Sequence, residues 1–87
     1  MSVKRKEHSM SVTEDARVMD QTWFFVYTEW HRLGRPVRAR DVITFVSERT
    51  PPHHIQKIID LLVQANFLDR QYDQHGMMTF TPRVRRT

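Results

Sequence analysis

Apolar residues recur every three or four positions in three stretches of the chain, and this spacing predicts three helices. The first is expected to begin near Thr13, because Ser11 and Glu14 have the S-x-x-E spacing of a capping box. Gly34 and the following Pro36 should end it, since proline disfavours helix continuation. Its predicted inward face is formed by Ala16, Met19, Trp23, Val26, Tyr27, Trp30 and Leu33.

Two shorter helices are predicted after Pro36, which also favours an extended conformation at Val37. The second is expected over residues 39–48. The third should begin with Thr50 as its N-cap and Pro51 as its first residue, a position where a proline loses no hydrogen bond. It should end near Asn66, since asparagine can adopt the left-handed conformation that closes a helix.

Beyond Asn66 the apolar spacing becomes alternating, which predicts two strands over residues 67–72 and 78–81. A turn over residues 73–76 should join them, with Gly76 supplying a positive φ. Pro82 should end the second strand because it lacks an amide donor. The pattern therefore predicts an α+β fold of three helices followed by a two-stranded β-hairpin.

The chain is long enough for one domain only, because 87 residues with 39% hydrophobic content supply one modest core. We divide it into a flexible basic arm over residues 1–12, a folded domain over residues 13–81 and a basic tail over residues 82–87. The net charge of +4 lies in the tails: the arm carries +2, the tail +3 and the domain −1. The total charge alone therefore does not establish nucleic-acid binding.

The composition excludes several classes of protein. The chain has no cysteine, and its longest strictly apolar run, residues 23–27, is far shorter than a membrane span. We therefore expect a soluble, cytoplasmic protein. Only two glycines are present and no phosphate-binding loop or nucleophile motif is found, so no enzymatic activity, cofactor or small-molecule ligand is predicted. No metal site is predicted either, since the adjacent His53 and His54 point about 100° apart on a helix.

The order of these elements resembles the winged helix-turn-helix superfamily, in particular its small bacterial, plasmid and phage regulators. In many of these proteins the third helix ends in a pattern like L-x-x-L-x-x-x-G-h-h-x-R. Residues 58–70 approximate this pattern, with Asn66 in place of the glycine and Arg70 as the final residue. The resemblance covers residues 13–81 and implies that the β-hairpin is a wing.

The resemblance also implies duplex DNA binding, with the third helix in the major groove. Gln56 and Lys57 could then read base edges, and His53 and His54 could contact bases or phosphates. Asp60 departs from this expectation, because phosphates repel a carboxylate. The predicted phosphate contacts are Arg35, Arg38, Arg40, Arg70, Arg83, Arg85 and Arg86. The first three could instead form a solvated loop and pair with Glu29, Asp41 or Glu48.

The first helix contains more aromatic residues than one inward face can bury. We expect Trp23, Tyr27 and Trp30 in the core, and Phe24 and Phe25 at a protein interface, in a homodimer formed through this helix. Two functions follow as hypotheses. The first is a dimeric DNA-binding protein, either a small transcriptional regulator or a plasmid or phage accessory protein. The alternative is a protein-interaction module of the same fold that uses the aromatic helix and does not bind DNA.

Overall fold

The computed structural model describes the backbone of residues 2–84 and the side chains of residues 14–84. It contains three helices and a small antiparallel sheet with the strand order β1-β3-β2, so the fold is α+β. The elements in chain order are α1 (Ser2–Leu33), β1 (Val37–Arg38), α2 (Ala39–Ser47), α3 (Pro52–Gln64), β2 (Leu68–Tyr72) and β3 (Met78–Pro82).

The sheet has three strands, so the prediction of a two-stranded sheet was wrong in number. The predicted hairpin is present as β2 and β3, where Arg70 lies opposite Phe80. The additional strand, β1, pairs with the other edge of β3 and places Val37 opposite Phe80. The sequence indicated an extended Val37, but two residues are too few to show an alternating pattern. The pairing of β1 was therefore not predictable from local spacing.

The first helix begins at Ser2, so its predicted start near Thr13 was wrong. The backbone of the predicted N-terminal arm continues α1. Residues 2–12 contain no glycine or proline and several good helix formers, including Lys4, Arg5 and Glu7, so nothing in them interrupts a helix. The S-x-x-E spacing therefore lies inside the helix and does not mark its end.

The predicted ends of α1 and α3 are confirmed. Gly34 follows α1 with φ +69°, and Asn66 follows α3 with φ +65°. The N–H of Phe67 donates to the carbonyl of Leu62 at 2.9 Å. This is the hydrogen bond of a Schellman motif, which closes a helix at a left-handed residue. The start of α3 lies one residue later than predicted, with Pro51 as its N-cap in place of Thr50.

The connection between β2 and β3 is built around Asp73. Its Oδ1 accepts hydrogen bonds from the N–H groups of His75 at 2.8 Å and Met77 at 2.9 Å. Gly76 has φ +78°, as its place in the turn predicted. The connection spans residues 73–77, which is one residue longer than expected.

The core lies between the three helices and the inner face of the sheet. The α1 positions at its centre are small or medium in size: Val18, Thr22 and Val26 are all buried. The hydroxyl of Thr22 donates to the carbonyl of Val18 at 2.7 Å, so its polar group is satisfied within the helix. The other buried apolar residues are Val37, Val42, Val46, Ile58, Ile59, Leu62, Leu68 and Phe80.

The large aromatic residues of α1 lie at the edge of this core: Trp23 and Trp30 pack against it, as predicted, but none of the three is fully buried. Trp23, Tyr27 and Trp30 are half-buried and form an aromatic ladder along one side of the helix. The ring centroids of Trp23 and Tyr27 are 5.3 Å apart, and those of Tyr27 and Trp30 are 6.3 Å apart. Small central side chains let α1 approach the other helices closely, which leaves room for the rings only at the flank.

Candidate functional site

The outward face of α3 presents polar side chains that are fixed in direction by the buried face of the same helix. Ile58, Ile59 and Leu62 are buried, so positions half a turn away point to solvent. Asp60 is half-buried and lies on this outward face. The exposed residues of the face are His53, Gln56, Lys57 and Gln64.

Asp60 joins α3 to the hairpin. Its Oδ1 accepts a hydrogen bond from Nε2 of Gln56 at 2.9 Å, and a second from Nη2 of Arg70 at 3.2 Å. The Asp60 side chain is 43% exposed, so this ion pair is accessible from solvent. Asp60 was predicted to disturb a basic surface, and the structure shows that Arg70 compensates its charge.

The opposite flank of α3 contacts α1 through a second carboxylate, Asp15. Nζ of Lys57 lies 3.3 Å from Asp15 Oδ2, and Nδ1 of His54 lies 3.7 Å from Asp15 Oδ1. The Lys57 side chain is 55% exposed despite this contact. Sequence analysis missed Asp15, because a partner 42 residues away leaves no local signal.

The arginines predicted to contact phosphates differ in their surroundings. Among residues 14–84, the exposed Arg35, Arg38 and Arg40 have no carboxylate within 4.0 Å. Arg83 does have one, since its Nε donates to Oδ1 of Asp69 at 2.9 Å. The predicted sites Arg85 and Arg86 lie outside the described residues.

Two of the three carboxylates expected near these arginines have other partners. Glu29 pairs with Arg32 at 2.8 Å, and the hydrogen bond from this guanidinium lowers the pKa of Glu29. Glu48 pairs with Arg49 at 3.3 Å. Glu29 and Glu48 therefore do not compensate the positive charge of the arginines at the junction between α1 and α2.

The hairpin turn lies close enough to the α1–α2 junction for their charges to interact. The pKa of Asp73 is lowered, chiefly by the hydrogen bond from the Met77 N–H and also by that from His75. The positive charge of Arg38 acts in the same direction. A cationic residue of the junction therefore lies on the same side of the molecule as the hairpin turn.

The two phenylalanines predicted at a protein interface have different environments. Phe24 is 62% exposed. Phe25 is half-buried and stacks on Phe45, with ring centroids 4.4 Å apart, while the Arg49 guanidinium lies 3.6 Å from the Phe45 ring centroid on α2. Phe24 thus offers exposed apolar surface, whereas Phe25 mainly joins α1 to α2.

Within the part of the chain that the structure describes, no helix is long and apolar enough to cross a bilayer. The same residues bring together no group of three or more His, Asp or Glu side chains that could hold a metal ion. No protein-family model matches the chain, and neither the curated proteins nor the solved structures contain a significant match.

Proposed function

We propose that this chain is a winged helix-turn-helix protein that binds duplex DNA, with α3 in the major groove and the β2–β3 hairpin as the wing. The observation that carries this proposal is the exposed polar face of α3, which Asp60 links to Arg70 on the hairpin. The major groove is wide enough to admit a helix, and side chains on one helix face can reach its base edges. The proposed role is that of a small transcriptional regulator or a plasmid or phage accessory protein.

Gln56 is suited to read adenine because Asp60 sets the direction of its amide group. One Nε2 hydrogen is bound to Asp60, which leaves the second hydrogen and Oε1 for another partner. A donor and an acceptor side by side match N7 and the N6 amino group of adenine. Lys57 is exposed next to Gln56. In the complex its ammonium group would leave Asp15 and bind guanine or a phosphate.

The arginines of the α1–α2 junction would supply contacts to phosphates. Arg35, Arg38 and Arg40 are exposed and have no carboxylate within 4.0 Å among the described side chains. Each phosphate that such a residue neutralises releases counterions, which favours binding at low salt. In this proposal Arg70 and the C-terminal arginines add further contacts of the same kind.

One observation favours a second function, that of a protein-interaction module. Phe24 is 62% exposed on α1, and residues 13–81 have eight Lys and Arg against nine Asp and Glu. Large exposed apolar residues are typical of protein contact sites. In that case α1 would bind a partner and α3 would have no nucleic-acid ligand.

The test is fluorescence anisotropy of the full chain with random-sequence and genomic duplex DNA over a salt series. We expect salt-dependent binding that a Gln56→Ala, Lys57→Ala double variant weakens by about tenfold or more, since each base contact contributes about 1–3 kcal/mol. The control is Arg17→Ala, which removes one positive charge from an exposed position of α1. It should lose much less affinity.

Two results would contradict the proposal. Absence of binding to any duplex at low salt would exclude DNA binding and favour the protein-interaction module. Equal losses in the α3 variant and its control would show that binding depends only on total charge and does not involve reading by α3.

A further inference from the structure

A second surface lies on α1, next to the end of α3. It contains an apolar groove of about 490 Å³. Its position differs from that of the polar face of α3, because the groove is formed mainly by side chains of α1 and by Phe67, two residues after the C-cap Ala65. The lining residues are Ala16, Met19, Asp20, Trp23, Leu62, Phe67 and Arg83.

Exposed aromatic surface also lies beyond the groove. Asp20 borders a second depression of about 410 Å³, which is lined by Phe24, Phe25 and Phe45 and by the polar residues Gln21, Thr28, Glu29 and Arg49. Phe24 is 62% exposed and Phe67 is 43% exposed, one on either side of Asp20. We call the two depressions together the α1 surface. Exposed apolar side chains with polar residues around them are characteristic of interaction sites.

The charges at the groove make the α1 surface complementary to itself. Asp20 contributes a carboxylate from α1 and Arg83 contributes a guanidinium from the segment after β3. Within residues 14–84, Asp20 has no ion pair and the Nη atoms of Arg83 have no hydrogen bond, since only Nε is used by Asp69. In a two-fold contact, any residue pair that forms once forms twice. Asp20 and Arg83 line the same groove, so a two-fold contact can pair the Asp20 carboxylate of each copy with the Arg83 guanidinium of the other.

We propose that the α1 surface binds a second copy of this chain in a two-fold symmetric dimer. The apolar linings face each other, and Asp20 of each copy pairs with Arg83 of the other. A stable contact buries about 800 Å² on each partner, and α1 contributes residues 16–29 to it, about 21 Å of helix. The proposal does not depend on DNA binding, and no residue of the outward face of α3 lines the α1 surface.

The apolar part of the contact is tested by sedimentation equilibrium of the full chain over a range of concentrations. We expect a dimer whose dissociation constant rises about tenfold or more in Phe67→Ser and in Ala16→Glu. Ile43→Ser is the matched control, because Ile43 is 41% exposed, as Phe67 is 43%, but lies on α2 and lines neither depression. Circular dichroism establishes that each variant is folded.

The charged part is tested by exchanging the two charges between chains. Asp20→Arg places two like positive charges in each pair, and Arg83→Asp places two like negative charges, so each variant alone should be mainly monomeric. In an equimolar mixture, a heterodimer of the two variants again has one arginine opposite one aspartate in each of its two pairs. We therefore expect a heterodimer to form in the mixture.

Three outcomes would overturn the proposal. The first is a wild-type chain that remains monomeric at all concentrations. This outcome includes a chain whose α1 surface binds a small apolar compound or another protein and does not bind a second copy. The second is dimerisation unaffected by Phe67→Ser and Ala16→Glu. The third is a mixture of the charge variants that stays monomeric.

Discussion

Asp60 shows how one carboxylate can serve a surface that is meant to attract anions. Its charge is compensated by Arg70 at 3.2 Å, and the same oxygen holds the Gln56 amide at 2.9 Å. A free carboxylate at this position would repel phosphates, whereas a paired one mainly fixes the direction of its neighbours. In the proposed complex, Asp60 is therefore a positioning residue for Gln56.

Asp73 gives a prediction about pH. Because backbone N–H groups bind its carboxylate, the pKa of Asp73 is lower in the folded protein than in the unfolded chain. The stability that Asp73 contributes is therefore present above the unfolded pKa, and it is lost as the pH falls through the lowered folded pKa. We expect carboxyl NMR titration to place the pKa of Asp73 below that of an ordinary aspartate. The protection factor of the Met77 amide, which is corrected for the intrinsic pH dependence of exchange, should fall on acidification.

The control for this pH effect is Asp73→Asn, whose side chain keeps an acceptor oxygen but does not titrate. In this variant, the protection factor of the Met77 amide should lose the part of its pH dependence that is due to Asp73. A carboxyl group that titrates at the ordinary value would show that the turn hydrogen bonds do not favour the charged form.

At the scale of elements, the end of α3 depends on the backbone of one residue. Asn66 has φ +65°, a region that costs a residue with a Cβ about 1–2 kcal/mol, asparagine less and glycine least. We expect Asn66→Ala to lower the free energy of unfolding by about 1 kcal/mol, and Asn66→Gly to leave it equal or raise it slightly. Urea denaturation with a constant m-value measures both changes.

Gln64→Ala provides the comparison for Asn66. Gln64 is the exposed last residue of α3, so its substitution alters a side chain without a positive φ. Its effect should lie within about 0.5 kcal/mol. Equal destabilisation by Asn66→Ala and Asn66→Gly would mean that a contact of the asparagine side chain matters and that its backbone conformation does not.

The features that could be predicted from the sequence are those that depend on a single residue or on its neighbours in the chain. Gly34, Asn66 and Gly76 each mark a boundary by a property of the residue itself, and each has a positive φ in the structure. The pairing of β1 with β3 and the contact of Lys57 with Asp15 depend on residues distant in sequence. Helical spacing alone could not predict them.

The incomplete burial of the aromatic ladder was not predicted for a related reason. The period of α1 correctly placed Trp23, Tyr27 and Trp30 on one side of the helix. It also placed Val26 correctly on the inward face, but it did not show that Val18 and Thr22 are buried at the centre of the core. Which side chains are central depends on how closely α2 and α3 approach, and small side chains permit the closer packing.

At the scale of the whole molecule, two surfaces use different parts of the fold. The polar face of α3 and the hairpin are proposed to bind DNA, while the α1 surface is proposed to bind a second copy. A dimer would present two α3 helices to one duplex, so that weak contacts in each half-site act together. Arg83 is assigned to both surfaces, so Phe67→Ser and Ala16→Glu, which leave Arg83 in place, are the variants that separate dimerisation from DNA binding.

The distribution of charge leads to the last prediction. If Arg38 and Arg40 contact phosphates, the double variant Arg38→Gln, Arg40→Gln should reduce the slope of log K against log salt by about 2, since each contact contributes about 0.9. It should weaken binding to all duplexes alike, because phosphate contacts do not read sequence. Loss of preference for one duplex over another would instead place these arginines at base edges.

The matched control for this pair is Arg17→Gln, Arg32→Gln, which removes the same charge from two exposed positions on α1. Arg32 is already paired with Glu29 at 2.8 Å, and Arg17 is not part of the α1–α2 junction. If binding depends on where the charge lies, the control should retain nearly the wild-type salt slope. If it depends only on net charge, both double variants will show the same reduced slope, and the junction will have no particular role in phosphate binding.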